Sequence, residues 1–321
     1  MRSSPKRVAA GRRTRVVALL AGVTTLAACS SGLHLDTNST SLPFSLGSRS
    51  TGSTGSSCNN GIEPQGTPVA KIRVANFYAS GGEPSGPIDL YDTPRPCPGD
   101  KPLIAGLAYG QLSSYVSPRS DADYGNLYVF PAGSQVHAAP VIGMQGGTNI
   151  SNAGWKKGDR QTVVIGVDNS TGTPTTSFQT IDESGNESGS PPILTSVPSG
   201  QGLLVVNAFG VVHTNSDPDA DLSIDGACPS PVDPSTGQPT SSDLPGNVIA
   251  GLQNFLVAPG SHTLGFVNEP APGQAFTQAQ CAAASPASTT SVPVSAASTQ
   301  LVLLYGPSQQ SVKFLTASIG S

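Results

Sequence analysis

Apolar residues along this chain come in short runs punctuated by glycine and proline. Ile72 and Val74 alternate with Lys71 and Arg73, and Val312 and Phe314 alternate with Lys313, the period-two pattern of strands with one face in a core. The runs "TVVIGV" (Thr162–Val167) and "LVLLY" (Leu301–Tyr305) are apolar throughout at strand length, so they are predicted to be central strands buried on both faces. With 37 Gly and 29 Pro breaking the pattern, a helix of three turns has nowhere to start. Only "QAFTQAQCAAASPAS" (Gln274–Ser288) offers room for a turn or two of helix.

The runs repeat in order. "KIRVANFYA" (Lys71–Ala79) is echoed by "LLVVNAFGV" (Leu203–Val211), "DLYDTPRPCP" (Asp89–Pro98) by "DLSIDGACP" (Asp221–Pro229), and "LIAGL" (Leu103–Leu107) by "VIAGL" (Val248–Leu252). "LYVFPAG" (Leu127–Gly133) parallels "LGFVNEP" (Leu264–Pro270), "RQTVVIGV" (Arg160–Val167) parallels "TQLVLLYG" (Thr299–Gly306), and "SFQTI" (Ser177–Ile181) parallels "KFLTA" (Lys313–Ala317). Six matches in one order predict two copies of one domain, at 68–185 and 200–321, joined by a Ser/Gly/Pro linker at 186–199. The expected fold class is all-β, two tandem Ig-like antiparallel β-sandwich domains of about seven strands each.

The start of the chain has a different character. A basic opening ("MRSSPKR", "GRRTR") leads into the apolar run "VVALLAGVTTLAAC", shorter than the stretch of about 20 residues that spans a bilayer, as a secretory signal does. "LAAC" (Leu26–Cys29) resembles the bacterial lipobox. That resemblance implies cleavage after residue 28 and a diacylglycerol on Cys29, holding the protein to the extracytoplasmic side of a cell membrane. Residues 29–67, rich in Ser, Gly and Thr, are expected to be a tether with a reach of about 30–35 Å.

Removing residues 1–28 takes six of the 16 basic residues and none of the 20 acidic ones, leaving ten basic against twenty acidic. Nucleic acid is thereby excluded as an expected partner, because its binding rests on Lys and Arg neutralising phosphates. Beyond the membrane itself, the expected partners are an envelope protein or a glycan. With Cys29 assigned to lipid, Cys58, Cys97, Cys228 and Cys281 make an even set with no C-x-x-C spacing, as in an exported chain with two disulfides. Cys97 and Cys228 occupy the same place in the two copies, which favours Cys58 with Cys97 and Cys228 with Cys281; a bridge between the copies is the alternative.

The order "RVANFYASGGEPSGPIDLYD", "IAGLAYG", "YVSP", "LYVFPAG", "TVVIGV" resembles the bacterial family known as domain of unknown function 4397. The resemblance covers both copies and implies an extracytoplasmic β-sandwich, often in tandem, in envelope proteins. It implies no catalytic residue. The second copy departs from it by inserting "SPVDPSTGQPTSSD" and by losing "QLSSYVSPRSDADYGN".

Chemistry is sparse. The four histidines, His34, His137, His213 and His262, fall in the tether or in expected loops and strand edges, and no G-x-S-x-G elbow, H-E-x-x-H pair or G-K-[ST] phosphate loop occurs. Acidic pairs, Asp121 with Asp123 and Asp182 with Glu183 and Glu187, lack an obvious sugar cleft. Trp155 with Tyr109, Tyr115, Tyr124 and Tyr128 could line a recognition patch or pack in the cores. The stretch "DPDADLSIDGACP" (Asp217–Pro229) sets Asp217, Asp219 and Asp221 at the first three ligand spacings of a calcium loop. Leu222 then stands where glycine is needed and Cys228 where a bidentate glutamate belongs, so the other reading is a solvated turn feeding a strand. The expectation is a non-enzymatic protein with no cofactor, serving a structural, binding or presentation role, with a carbohydrate or cell-wall recognition module as the alternative reading and an unrecognised envelope hydrolase as the third.

Overall fold

The computed structural model describes residues 70–80, 83–92, 96, 99–118, 120–121, 124–134, 142–145, 158–168, 175–184, 193–213, 217–240, 251–270 and 276–320. The first copy contains β1 (Lys71–Asn76), β2 (Ala79–Ser80), β3 (Glu83–Pro84), β4 (Ile88–Tyr91), β5 (Ile104–Leu107), β6 (Gln111–Leu112), β7 (Ser120–Asp121), β8 (Tyr124–Pro131), β9 (Ile142–Gln145), β10 (Arg160–Asp168) and β11 (Thr175–Asp182). The second contains β12 (Gly202–Val211), β13 (Ala220–Ile224), β14 (Gln253–Val257), β15 (Gly260–Asn268), α1 (Gln278–Ala283), β16 (Ser288–Val294), β17 (Thr299–Gly306) and β18 (Lys313–Ile319). Among the described residues the second copy has seven strands, whereas the first is cut into more and shorter pieces. The only α-helix among the described residues is the short one foreseen in the Ala-rich stretch, started by a Thr277/Gln280 capping box.

The main strands of the two copies correspond. One sheet runs β11-β10-β1-β6 in the first copy, and β18-β17-β12-β14 in the second. The facing sheet holds β4-β8-β9 in the first and β13-β15-β16 in the second. Each pair of sheets closes over its own core. Ile72, Val74, Ile88, Leu90, Leu127, Val129, Val163 and Ile165 fill the first, and Leu204, Val206, Leu222, Phe255, Leu264, Phe266, Val302 and Leu304 fill the second.

Two features depart from the simple antiparallel expectation. The central pair of each main sheet is parallel, β1 with β10 (Val74 opposite Val163) and β12 with β17 (Val206 opposite Val302). A parallel pair needs a long crossover, and here the whole facing sheet supplies it. More consequentially, the copies are not separate bodies on a linker, for both lie in one compact unit, Gly55–Ser321. The outer faces of their main sheets share a third core, with Ala75, Phe77, Val164 and Ile181 on one side and Leu203, Val205, Leu301 and Leu303 on the other. This is why "TVVIGV" and "LVLLY" are apolar on both faces. Ile193 and Leu194, inside the stretch expected to be a linker, are buried in the same core, and the Leu194 amide donates to Asn254 Oδ1 at 3.2 Å. Val232, from the inserted loop, also joins it.

Aromatic rings and glycines fit this junction together. Phe77 of the first copy stacks on Tyr305 of the second with ring centroids 4.5 Å apart, and Tyr109 meets the same Tyr305 edge-on at 5.5 Å. Asn207 Nδ2 of β12 donates to Gln179 Oε1 of β11 at 2.5 Å. The rings lie so close to the backbone that a Cβ at Gly210 would stand 2.3 Å from Phe77 Cδ2, and one at Gly166 would stand 2.6 Å from the Phe209 carbonyl. Gly210→Ala should therefore lower stability by about 1–3 kcal/mol through overpacking. Phe77→Ala should cost about 3–5 kcal/mol through the lost contacts and the cavity. Urea unfolding of each variant measures both values.

Candidate functional site

Three polar constellations stand out among the described residues. The first lies at the polar end of β1 and β10, beyond the shared core. Arg73, on the face opposite Ile72 and Val74, donates from Nε to Thr162 Oγ1 at 2.8 Å and to Glu183 Oε1 at 3.1 Å, and its Nη2 is 3.0 Å from the same Oε1. The Thr162 hydroxyl also donates to Glu183, and the Tyr115 hydroxyl donates to Glu183 Oε2 at 2.5 Å. The ring of Tyr115 lies between two guanidinium groups, Arg73 at 4.9 Å and Arg160 at 5.2 Å. Burial and the bond to Glu183 push the Tyr115 phenol well above its usual value. A 360 Å³ cleft beside the pair is lined by Lys71, Gly158, Asp159, Arg160, Glu183 and Ser184. The Glu183 side chain is fully buried and both of its oxygens are engaged, so this carboxylate holds β1, β10 and the Tyr115 segment together rather than waiting as a base.

The second constellation is a histidine–carboxylate pair in the second copy. Asp225 and Gly226 form the two-residue turn after β13, both at positive φ (54° and 79°), closed by Ile224 and Ala227 bonding each other's backbone. That geometry aims Asp225 at β15. Its Oδ1 accepts from the Thr263 amide at 2.8 Å, and its Oδ2 is 2.7 Å from His262 Nδ1. His262 Nε2 is 2.7 Å from the Ala258 carbonyl. Both neighbours of the ring are acceptors, an arrangement that favours the cationic imidazole, which donates from both nitrogens. The bond to Asp225 accordingly raises the His262 pKa, and the bond to His262, followed by the Thr263 amide, lowers that of Asp225. Sequence reading set His262 aside as an edge histidine. The D-G turn signal at Asp225–Gly226 was the clue that a carboxylate would be folded back onto the partner strand.

The third is the stretch considered as a calcium loop. Its strand begins earlier than expected, at Ala220, so Asp221 is strand and not loop. Ala220, Leu222 and Ile224 point into the second core, which turns Asp221 and Ser223 to the opposite face. Asp219 is exposed, whereas Asp221 is 1 % exposed. Among the described residues no three His, Cys, Asp or Glu side chains are placed to hold a metal ion. Asp221 thus lies in a strand rather than in the loop that a calcium site built on Asp217, Asp219 and Asp221 would use. Asp221 Oδ2 nevertheless has no hydrogen-bond partner. Desolvation, with Glu269 and Asp219 nearby, pushes its pKa up to about 7.

The remaining candidates are dispersed. Cys228 and Cys281 form a disulfide, Cα atoms 5.9 Å apart across 53 residues, tying α1 to the end of β13. An 820 Å³ groove beside it is lined by Ala227, Pro229, Ser230, Pro239, Gln278 and Ala279. Cys29, Cys58, Cys97, Asp123, Trp155, Glu187, His34 and His137 lie outside the described residues. Asp182 and Glu183 do not flank one cleft: Asp182 Oδ1 accepts from the amide and hydroxyl of Ser184, while Glu183 joins Arg73. Tyr109 is in the junction, Tyr115 in the Arg73 network and Tyr128 buried, so these three do not form one recognition face. His213 Nδ1 stands 3.2 Å from the Val211 carbonyl.

No family model matches the chain, and no curated protein matches it.

The His262 pair makes stability depend on pH in a stated direction. A folded pKa above the unfolded value of about 6.5 stabilises fully below that value, and the contribution is lost as pH rises through the folded value. Asp225, with its pKa lowered, contributes above about 3.9 and loses that contribution as pH falls through its folded value. NMR titration should find the His262 ring protonated beyond pH 6.5 in the wild type and back near the model-peptide range of about 6.5 in Asp225→Asn.

Proposed function

We propose that this is a lipid-anchored protein of the bacterial cell envelope, non-enzymatic, whose tether holds two fused β-sandwich copies clear of the membrane for a structural, binding or surface-presentation role. The observation that carries the reading is "LAAC" at Leu26–Cys29, placed after a basic and apolar leader and before a Ser/Gly-rich stretch. Two acyl chains on Cys29 give stable membrane attachment where a single chain gives only marginal binding. The anchored residues face outward from the cytoplasm, where the Cys228–Cys281 disulfide persists.

The non-enzymatic part rests on how the described polar groups are used. Glu183 is locked by Arg73, Thr162 and Tyr115; Asp89 accepts from the Gly106 and Gly133 amides; His262 is held between Asp225 and a carbonyl. Each of these bonds joins two segments of the chain, as scaffold bonds do. A histidine that donates from both nitrogens has no lone pair with which to act as a base. The resemblance to the domain of unknown function 4397 points the same way, toward tandem envelope sandwiches without a catalytic residue.

Metabolic labelling with an alkyne fatty acid tests the anchor. The wild-type protein should take up label and partition with membranes, while Cys29→Ser should do neither. Equal labelling of the two would contradict the reading.

A further inference from the structure

The two copies serve as controls for each other at one buried acid. Asp89 of β4 and Asp221 of β13 are equivalent: Ile88 pairs with Pro131 as Ala220 pairs with Asn268, and the Ala132 amide donates to Pro87 as the Glu269 amide donates to Asp219, each at 2.9 Å. In the first copy the acid is satisfied. Asp89 Oδ1 accepts from Gly106 N at 2.7 Å and Oδ2 from Gly133 N at 2.9 Å. In the second copy the counterpart of Gly133 is Pro270, which has no N–H to give. The counterpart of Ala132 is Glu269 and that of Pro87 is Asp219, so two neutral neighbours have become carboxylates around an acid that has lost its donor. Asp221 Oδ2 is left buried without a partner.

The strap 276–287 packs on the face of the sheet that Asp221 shares with Val267, its partner across the ladder. Val267, opposite Asp221 across the ladder, packs with Phe276, Cys281 and the Cys228 sulfur, and the Phe276 amide bonds the Glu269 carboxylate. Ala287 N donates to the Phe266 carbonyl at 2.8 Å, fixing the far end. Among the described residues, the charged groups that act on Asp221 are acidic: Asp219 from its own approach and Glu269 just past β15. The strap and β16 contribute no titratable side chain apart from Cys281, which is in the disulfide.

We propose that this face of the second copy is a proton-binding site: with Asp221 protonated the strap stays seated, and when Asp221 loses its proton the buried charge, repelled by Glu269 and Asp219, releases the strap and opens the Cys228–Cys281 disulfide to solvent. Burial, with Glu269 and Asp219 beside it, pushes the Asp221 carboxyl up to about 7, so the change falls near neutral pH. The first copy lacks this arrangement, because both carboxylate oxygens of Asp89 accept from backbone amides.

The test is the rate at which a phosphine reductant opens the 228–281 bridge in the full-length chain, followed by maleimide tagging and mass, with oxidised glutathione correcting for the reagent's own pH dependence. Wild type should react up to about tenfold faster at pH 8 than at pH 6, the change in protonated fraction across a pKa near 7. In Asp221→Asn the corrected ratio should fall to near one. Pro270→Gly, which returns the missing N–H, should move the acceleration to lower pH, and this variant decides the matter if Asp221→Asn does not fold. His262→Gln should keep the wild-type ratio. A ratio unchanged in Asp221→Asn, or an acceleration that stays in place in Pro270→Gly, would overturn the proposal.

Discussion

The contact on which this molecule depends is the one between its two copies. Each main sheet has an inner face on its own core and an outer face on the other copy, and Ala75, Phe77, Val164, Leu203, Val205, Leu301 and Leu303 are all essentially without solvent exposure. Burying a Val, Leu or Phe side chain stabilises by about 1.5–3 kcal/mol relative to leaving it exposed, so a copy separated from its neighbour would present a costly apolar face. The Phe77–Tyr305 stack sits where glycine lets rings approach backbone, at Gly210 beside Phe77 and at Gly110 beside Tyr305. Fusion of the two sandwiches, rather than a bead-on-string arrangement, follows from the double-sided hydrophobicity of β10 and β17.

Duplication also explains where the copies differ. Strand order, the central parallel pair and the backbone bond from β4 or β13 to the facing strand are kept, because each core needs them. The polar elements are free to diverge. Among the described residues, the first copy holds the buried Arg73–Glu183 pair and a satisfied Asp89, and the second holds the helix strap with its Cys228–Cys281 bridge, the Asp225–His262 pair and an unsatisfied Asp221. Among the described residues, Asp221, pushed up to about 7, and the coupled Asp225–His262 pair both lie in the second half of this pseudo-symmetric body.

Much of this was legible from the sequence. Period-two alternation and the six ordered matches gave the all-β class and the duplication, and the unbroken runs at 162–167 and 301–305 located the strands buried on both faces. Their meaning was missed, since an apolar outer face does not say what covers it, and a Ser/Gly/Pro stretch containing Ile193 and Leu194 looks like a linker until those two side chains find a core. The parallel pairing was hidden because β1 and β10 are brought together only by the intervening sheet. Cys228 with Cys281 could be preferred from the repeat. The acids at 217, 219 and 221 looked alike in sequence, and only strand alternation sends one of them inward and leaves another exposed. His262 was passed over because its partner is 37 residues away, across a turn.

The central claim is that the two copies are one folding unit, and calorimetric unfolding of the full-length chain tests it most directly. A shared core predicts a single transition for residues 68–321, with calorimetric and van't Hoff enthalpies equal. Two separable transitions, each with the enthalpy of about one copy, would contradict it.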